Sequence, residues 1–204
     1  GYNYEAASDT NKQTHWEIMN FKLRALGAGF KTGFGIQLDN ITPDQISSVT
    51  GPTTTITSVA ANGCENGQTQ AVIMVTDNAH GKFGVPVRID FTTPIADLGT
   101  SNPFITTRGD RGYEIHLMGY QPTDLVTDSL FNTLDDNSGA GVTYRDAFGY
   151  PWGMNFTQPF DFPKEKNHVR LGYPQFDTWV RSSGVNQTDW YSRSKATLDK
   201  IIIQ

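Results

Sequence analysis

Four glycines fall within nine residues, at Gly27, Gly29, Gly33 and Gly35. A helix interior loses about 1 kcal/mol at each glycine relative to alanine, so the stretch from Phe21 to Leu38 cannot be one continuous helix. On either side of the glycines the pattern has period two. Phe21, Leu23 and Ala25 share one face, as do Phe34, Ile36 and Leu38, while Lys22, Arg24 and Gln37 take the other. This spacing predicts two strands joined by a Gly-rich bend as a half-buried hairpin, with glycine where the chain turns or where a bulky ring comes close.

The rest of the chain reads the same way. Ala71-Val-Ile-Met-Val-Thr76 is apolar on both faces and is expected to be the most buried strand. Val85, Val87, Ile89 and Phe91 alternate with Pro86, Arg88, Asp90 and Thr92, which gives one wet face, and Pro86 favours an edge. Tyr113, Ile115 and Leu117 alternate with Glu114 and His116, and these two are expected to face solvent. Thr53 to Val59 is Thr-rich and suits an exposed strand. Helical signals are short: one turn after Thr42-Pro43, a turn within Asp124 to Leu134, and a helix from Pro174 past Val180 that ends near Gly184, with Trp190 and Tyr191 tying down the tail. Together these predict an all-β fold, an antiparallel β-sandwich of jelly-roll-like type with a few short helices, as one domain over residues 1–204.

Composition excludes some partners. A net charge of -5 and only 16 scattered Lys and Arg residues lack the basic cluster that phosphate backbones require, so no nucleic acid is expected. Cys64 is the one cysteine, which forbids an intrachain disulfide. It stands in the turn Asn62-Gly-Cys-Glu-Asn-Gly67 as a bystander thiol. No run is long and apolar enough to span a bilayer, and no secretory signal is legible, as in a mature or trimmed secreted chain.

A series of blocks carries a resemblance. Leu23-Arg-Ala-Leu-Gly-Ala-Gly-Phe30 with Gly33-Phe-Gly-Ile-Gln-Leu38 is followed by Gln70-Ala-Val-Ile-Met-Val75 with Asp77-Asn-Ala-His80, and by Arg111-Gly-Tyr-Glu-Ile-His-Leu117 with Pro122-Thr-Asp124. Then come Tyr150-Pro-Trp-Gly153, Phe160-Asp-Phe-Pro-Lys-Glu165, Tyr173-Pro174 with Phe176 and Trp179, and Asp189-Trp-Tyr191. In this order they resemble the LruC-type domain, a bacterial cell-envelope and surface module. The resemblance implies a surface or periplasmic setting, at times within lipoproteins or large adhesins, and no established reaction. The acidic Asp-x-Asp-x-Asn-Asp segment that stands upstream in that family is missing here. The chain is therefore expected to lack its N-terminal acidic segment, through which it could be tethered, and the calcium chemistry of that segment does not carry over.

Candidate site residues follow from their chemistry. Asp77, Asn78 and His80 offer carboxylate, amide and imidazole after the buried strand, and Asp110 and Arg111 stand before the next well-patterned one. In an antiparallel sheet the two connections can share an end. Arg111 could then fork onto a ligand carboxylate while Asp77 or Asp110 takes calcium or a sugar hydroxyl. The alternative is that Arg111 pairs with Asp77 or Asp110 to pin the loops. Asp135 and Asp136 offer closely spaced oxygens for calcium, the one candidate cofactor, although they lack a twelve-residue EF-hand loop. Tyr150 and Trp152, near Tyr144 and Phe148, form a candidate sugar platform or a lid on the core. Arg108-Gly-Asp110 is an integrin-type tripeptide of low specificity.

No nucleophile elbow, His-Glu-x-x-His helix, P-loop or dinucleotide fingerprint is present. The expected function is a non-catalytic bacterial binding module of the cell surface or periplasm, adhesive in one reading, with a protein, peptide or glycan as partner. Competing expectations are a carbohydrate-active hydrolase and a passive envelope spacer.

Overall fold

The computed structural model describes residues 2–8, 10, 13–21, 29–52, 54–79, 86–138, 142–156 and 160–203. In chain order the strands are β1 (Tyr2–Ser8), β2 (Thr14–Phe21), β3 (Gly33–Leu38), β4 (Ile46–Thr50), β5 (Ala71–Thr76), β6 (Val87–Ile95), β7 (Ser101–Thr107) and β8 (Asp110–His116). They form two antiparallel four-stranded sheets, β1-β2-β6-β4 and β5-β3-β7-β8. The sandwich core lies between them. Met19, Phe21, Ile46, Ile89 and Phe91 from the first sheet meet Ile36, Leu38, Ala71, Ile73 and Val75 from the second. Each large aliphatic or aromatic chain so buried contributes about 1.5–3 kcal/mol. Two four-stranded sheets match a jelly roll in strand count, but β1–β2 and β7–β8 are plain hairpins.

Where the chain departs from the sequence expectation, the reasons are local. β2 and β3 do not pair: β2 lies between β1 and β6, whereas β3 lies between β5 and β7 in the other sheet. The predicted hairpin is a crossover between sheets, and the predicted bend at 22–28 falls outside the described residues. Being central, β3 is covered on both faces, so Gln37 is buried and donates to Asp39 Oδ1 at 2.9 Å. β6 is likewise interior, and Pro86 precedes its first ladder position rather than marking an edge. Residues 54–59 make bends and a lone bridge from Val59 to Glu65 instead of a strand, and the strand nearby is β4.

β5 is buried at all six positions although it ends its sheet. Its outward residues Val72 and Met74 pack with Phe104 and Ile56, so the outer face of the second sheet carries a second apolar layer. Gly35 makes that layer fit. A Cβ there would stand 2.8 Å from both Met74 Sδ and Phe104 Cε1, so the ring lies on bare backbone. Gly35→Ala is therefore expected to lower unfolding free energy by about 1–3 kcal/mol, the usual range for overpacking. Urea denaturation checks this, and an unchanged midpoint would contradict the close approach.

The C-terminal third packs around rings. Helices α1 (Val169–Gly172) and α2 (Phe176–Arg181) bring Tyr173, Phe176 and Trp190 together with Tyr150 and Ile201 in a separate aromatic cluster. α2 ends as predicted: the N–H of Gly184, at φ 83°, donates to the Trp179 carbonyl. A two-stranded ribbon of β9 (Phe162–Pro163) and β10 (Ile201–Ile202) closes the cluster.

Candidate functional site

β7 and β8 meet in a two-residue turn whose central residues, Arg108 and Gly109, have φ of 60° and 70°. Positive φ at both positions matches the right-handed twist of a hairpin. The Arg108 guanidinium rests over Phe30 and Tyr113 at 5.3 and 5.5 Å, and the Arg108-Gly-Asp110 tripeptide forms an exposed hairpin tip. Beyond the turn the register jumps. Thr107 faces Asp110 and Thr106 faces Glu114, so one step on β7 spans four on β8. This bulge turns Arg111 onto the same outer face as Glu114 and His116.

That face is a buried ionic network. Arg111 donates from Nε to Glu65 Oε1 and from Nη2 to Glu65 Oε2, both at 2.5 Å, and from Nη1 to Glu114 Oε1. The Thr123 hydroxyl accepts from Arg111 Nη2 at 3.1 Å and donates to Glu114, while the Thr123 N–H donates to Glu114 Oε2 at 3.0 Å. His116 contacts Glu114 Oε2 through Nε2 at 2.9 Å and Asn102 Oδ1 through Nδ1 at 2.6 Å. Glu65, Glu114 and His116 are each under 5% exposed. Burial pushes the Glu114 carboxyl up. The bond from His116, the Arg111 charge and the Thr123 donors outweigh this and hold it below the usual carboxylate range. Rings close the network, with Phe104 beneath the Arg111 guanidinium at 4.9 Å and stacked on His116.

Two expectations are corrected here. Glu114 and His116 face a covered interior, not solvent, and Tyr113 and Ile115 take the half-exposed face instead. Arg111 does pin loops, but through Glu65 and Glu114 rather than Asp77 or Asp110, and its Nε, Nη1 and Nη2 all donate into the network. It has no fork left for a ligand carboxylate.

The predicted loop residues do share an end of the sheet. The Ala79 N–H donates to Thr32 and the Gly109 N–H to Lys31, so both connections abut the entry to β3. Strands β3 and β7 nevertheless separate Asp77 from Asp110, and three inter-strand steps amount to about 14 Å. Asp77 Oδ2 accepts from the Thr55 N–H at 2.6 Å and hydroxyl at 2.7 Å, and Asp110 Oδ1 accepts from the Gly112 N–H at 2.9 Å. The Asn78 N–H donates to the Thr76 hydroxyl, and His80 lies outside the described residues. Asp136 accepts from Asn132 N–H, Ser138 N–H and hydroxyl, and the Trp152 indole, whereas Asp135 is exposed. Among the described residues no three His, Cys, Asp or Glu side chains gather closely enough to hold a metal ion.

The predicted platform also divides. Tyr150 is buried, stacked on Phe176 at 5.4 Å with its hydroxyl donating to Asp177, and so presents no open face. Trp152 is 44% exposed but its indole N–H is tied to Asp136. Cys64 lies in the sandwich core, and burial pushes its thiol up to about 11, which makes it inert.

An open concavity lies where sequence reasoning did not place one. A cleft of about 350 Å³ runs between the exit of β8, at Leu117 and Met118, and the aromatic cluster, at Phe156, Trp179, Trp190 and Tyr191. Asn155 supplies an amide and Thr188 and Tyr191 supply hydroxyls, and among the described residues no charged side chain lines it. The volume is at the lower end of small-molecule sites. The two walls meet tightly, since a Cβ on Gly153 would stand 2.8 Å from the His116 carbonyl oxygen. Trp179 was legible only as a helix position and Tyr191 only as a tie for the tail, because the opposite wall comes from a strand more than sixty residues earlier.

A family model described as a domain of unknown function, DUF4842, matches residues 15–88 and 80–191. The fold is similar to that of a crystal structure named as a "putative lipoprotein" from Bacteroides ovatus, with a TM-score of 0.68 and 18% identity over 99% of this chain and 69% of that one. No curated protein matches. Among the described residues no helix is long and apolar enough to cross a membrane.

Proposed function

The chain belongs to the DUF4842 family, and from that premise we propose that it is a non-catalytic binding module of the bacterial cell envelope, with its ligand seated in the cleft between β8 and the aromatic cluster. The observation that carries this reading is the lining: rings and methionines with one amide, the two hydroxyls of Thr188 and Tyr191 and, among the described residues, no charge. Such a surface suits a neutral sugar residue, whose C–H face stacks on rings while its hydroxyls meet Asn155 and Thr188. The resemblance to LruC-type modules and the fold shared with the Bacteroides protein support an envelope setting. Two of the carboxylates are unavailable as a hydrolase pair. Glu65 and Glu114 are held by Arg111, and a glycosidase pair must instead flank an open bond.

A glycan and peptide array tests the proposal, with Met118→Asp as the control. Met118 is 40% exposed, so the substitution places a charge in the wall with little effect on packing. We expect retention of an uncharged saccharide by the wild type and a loss of at least about tenfold in affinity, roughly 1.4 kcal/mol, in the variant at an unchanged melting temperature. Retention of nothing would favour a passive spacer. Turnover of an arrayed sugar would overturn the non-catalytic reading.

A further inference from the structure

We propose that His116 is locked with hydrogens on both ring nitrogens, and that this imidazolium completes a neutral buried cluster which positions the β8 wall of the cleft. Both nitrogens face acceptors. Nε2 stands 2.9 Å from Glu114 Oε2, and Nδ1 stands 2.6 Å from Asn102 Oδ1. The Asn102 amide cannot be turned over, because its Nδ2 donates to the Gln121 carbonyl at 2.9 Å and a flip would set two oxygens against each other. Glu114 is not the donor either, since the Arg111 charge and the two Thr123 donors keep its carboxyl ionised, below the usual carboxylate range. A neutral imidazole would leave one lone pair pointing at an oxygen lone pair in a site 1% exposed.

Charge and packing agree. Arg111 with Glu65 and Glu114 sums to one negative charge, and a protonated His116 brings the buried group to zero, which is the condition under which ionic groups tolerate burial. Phe104 stacks on the imidazole at 4.7 Å and 16°, and Tyr144 lies tilted over it at 4.9 Å and 30°, an arrangement that favours a cation. The groups around the ring are Glu114 on its own strand, Asn102 and Phe104 from β7, and Tyr144 from the 142–156 segment. Arg111, Glu65 and Thr123 form the next layer through Glu114. Burial pushes the Tyr144 phenol up, so it adds no charge.

The ring is coupled to the cleft through the backbone. Leu117 and Met118 follow His116 directly, and the His116 carbonyl is the atom against which Gly153 packs. Loss of the second proton would set Nδ1 or Nε2 against an oxygen and shift the strand exit. The consequence for ligand rests on the cleft reading, whereas the protonation state does not. Nitrogen-15 NMR of the histidine side chains of the intact chain tests the first part: both His116 ring nitrogens should carry hydrogens at neutral pH, and one bare nitrogen would overturn the proposal. The Met118 methyl resonance, compared without ligand between the wild type and His116→Gln at one pH, tests the second. It should shift in the variant, and a Met118 signal identical in the two proteins would overturn the positioning role.

Discussion

Arg111→Ala is expected to lower unfolding free energy by about 3–5 kcal/mol, the usual result when one partner of a buried ion pair is removed. For a chain of this size that is a fall of roughly 6–20 °C in melting temperature. The loss is large because Glu65 and Glu114 would remain buried with their shared cation gone, and Phe104 would lose the guanidinium above its ring. Asp110→Ala, one residue away, should change stability by only about 1 kcal/mol, since Asp110 is exposed and caps a single N–H. The contrast separates an ionic keystone from a surface loop. Neutralising one carboxylate together with the cation, as in Glu65→Gln with Arg111→Met, should recover part of the loss, and this coupling can be measured in a double-mutant cycle. An Arg111→Ala protein that melts with Asp110→Ala would show that the network does not hold the loops.

Trp190→Ala should be about as damaging, at about 3–5 kcal/mol, the range for deleting a buried large aromatic. Trp190 is 1% exposed and touches six rings, from Phe176 at 4.7 Å to Phe160 at 5.8 Å. It is the piece around which α1, α2 and the rings of Phe156 and Phe160 converge, so its removal opens a cavity that no neighbour can fill alone. Near-ultraviolet circular dichroism should lose much of its aromatic signal, and urea denaturation should show the shift in midpoint. Trp190→Phe, which keeps a ring, should lose less. An alanine variant within about 1 kcal/mol of wild type would mean that the cluster is not a cooperative core.

Much of the sheet architecture was legible because burial on one or two faces leaves a period in the sequence. β5 announced itself by being apolar on both faces, and α2 by Pro174 before it and Gly184 after it. The polarity of β8 was not legible. Glu114 and His116 look like a solvent face until Arg111 swings over at the bulge and Glu65 arrives from 46 residues away. Alternation reports which residues share a face, not which face is covered. The same limit explains β3: Phe34, Ile36 and Leu38 gave a strand, but whether its neighbour was β2 or β5 depends on a crossover that no local pattern encodes. At the site, the loop ends carrying Asp77 and Asp110 were placed correctly at one end of the sheet, yet their carboxylates serve backbone and hydroxyl donors, as Asp in turns commonly does. The cleft stayed hidden because its walls, Met118 and Tyr191, are distant in sequence and each reads alone as ordinary packing.

The claim that binding belongs to this cleft and not to the acidic loops is tested most directly by amide chemical-shift mapping while the saccharide retained most strongly on the array is titrated into the intact chain. The account predicts perturbations centred on Leu117, Met118, Asn155 and Thr188, with the Trp179 indole moving and Asp77, Asp110 and Asp135 quiet. Perturbations centred on Asp77, Asp110 and Arg111 with the cleft residues unmoved would contradict it.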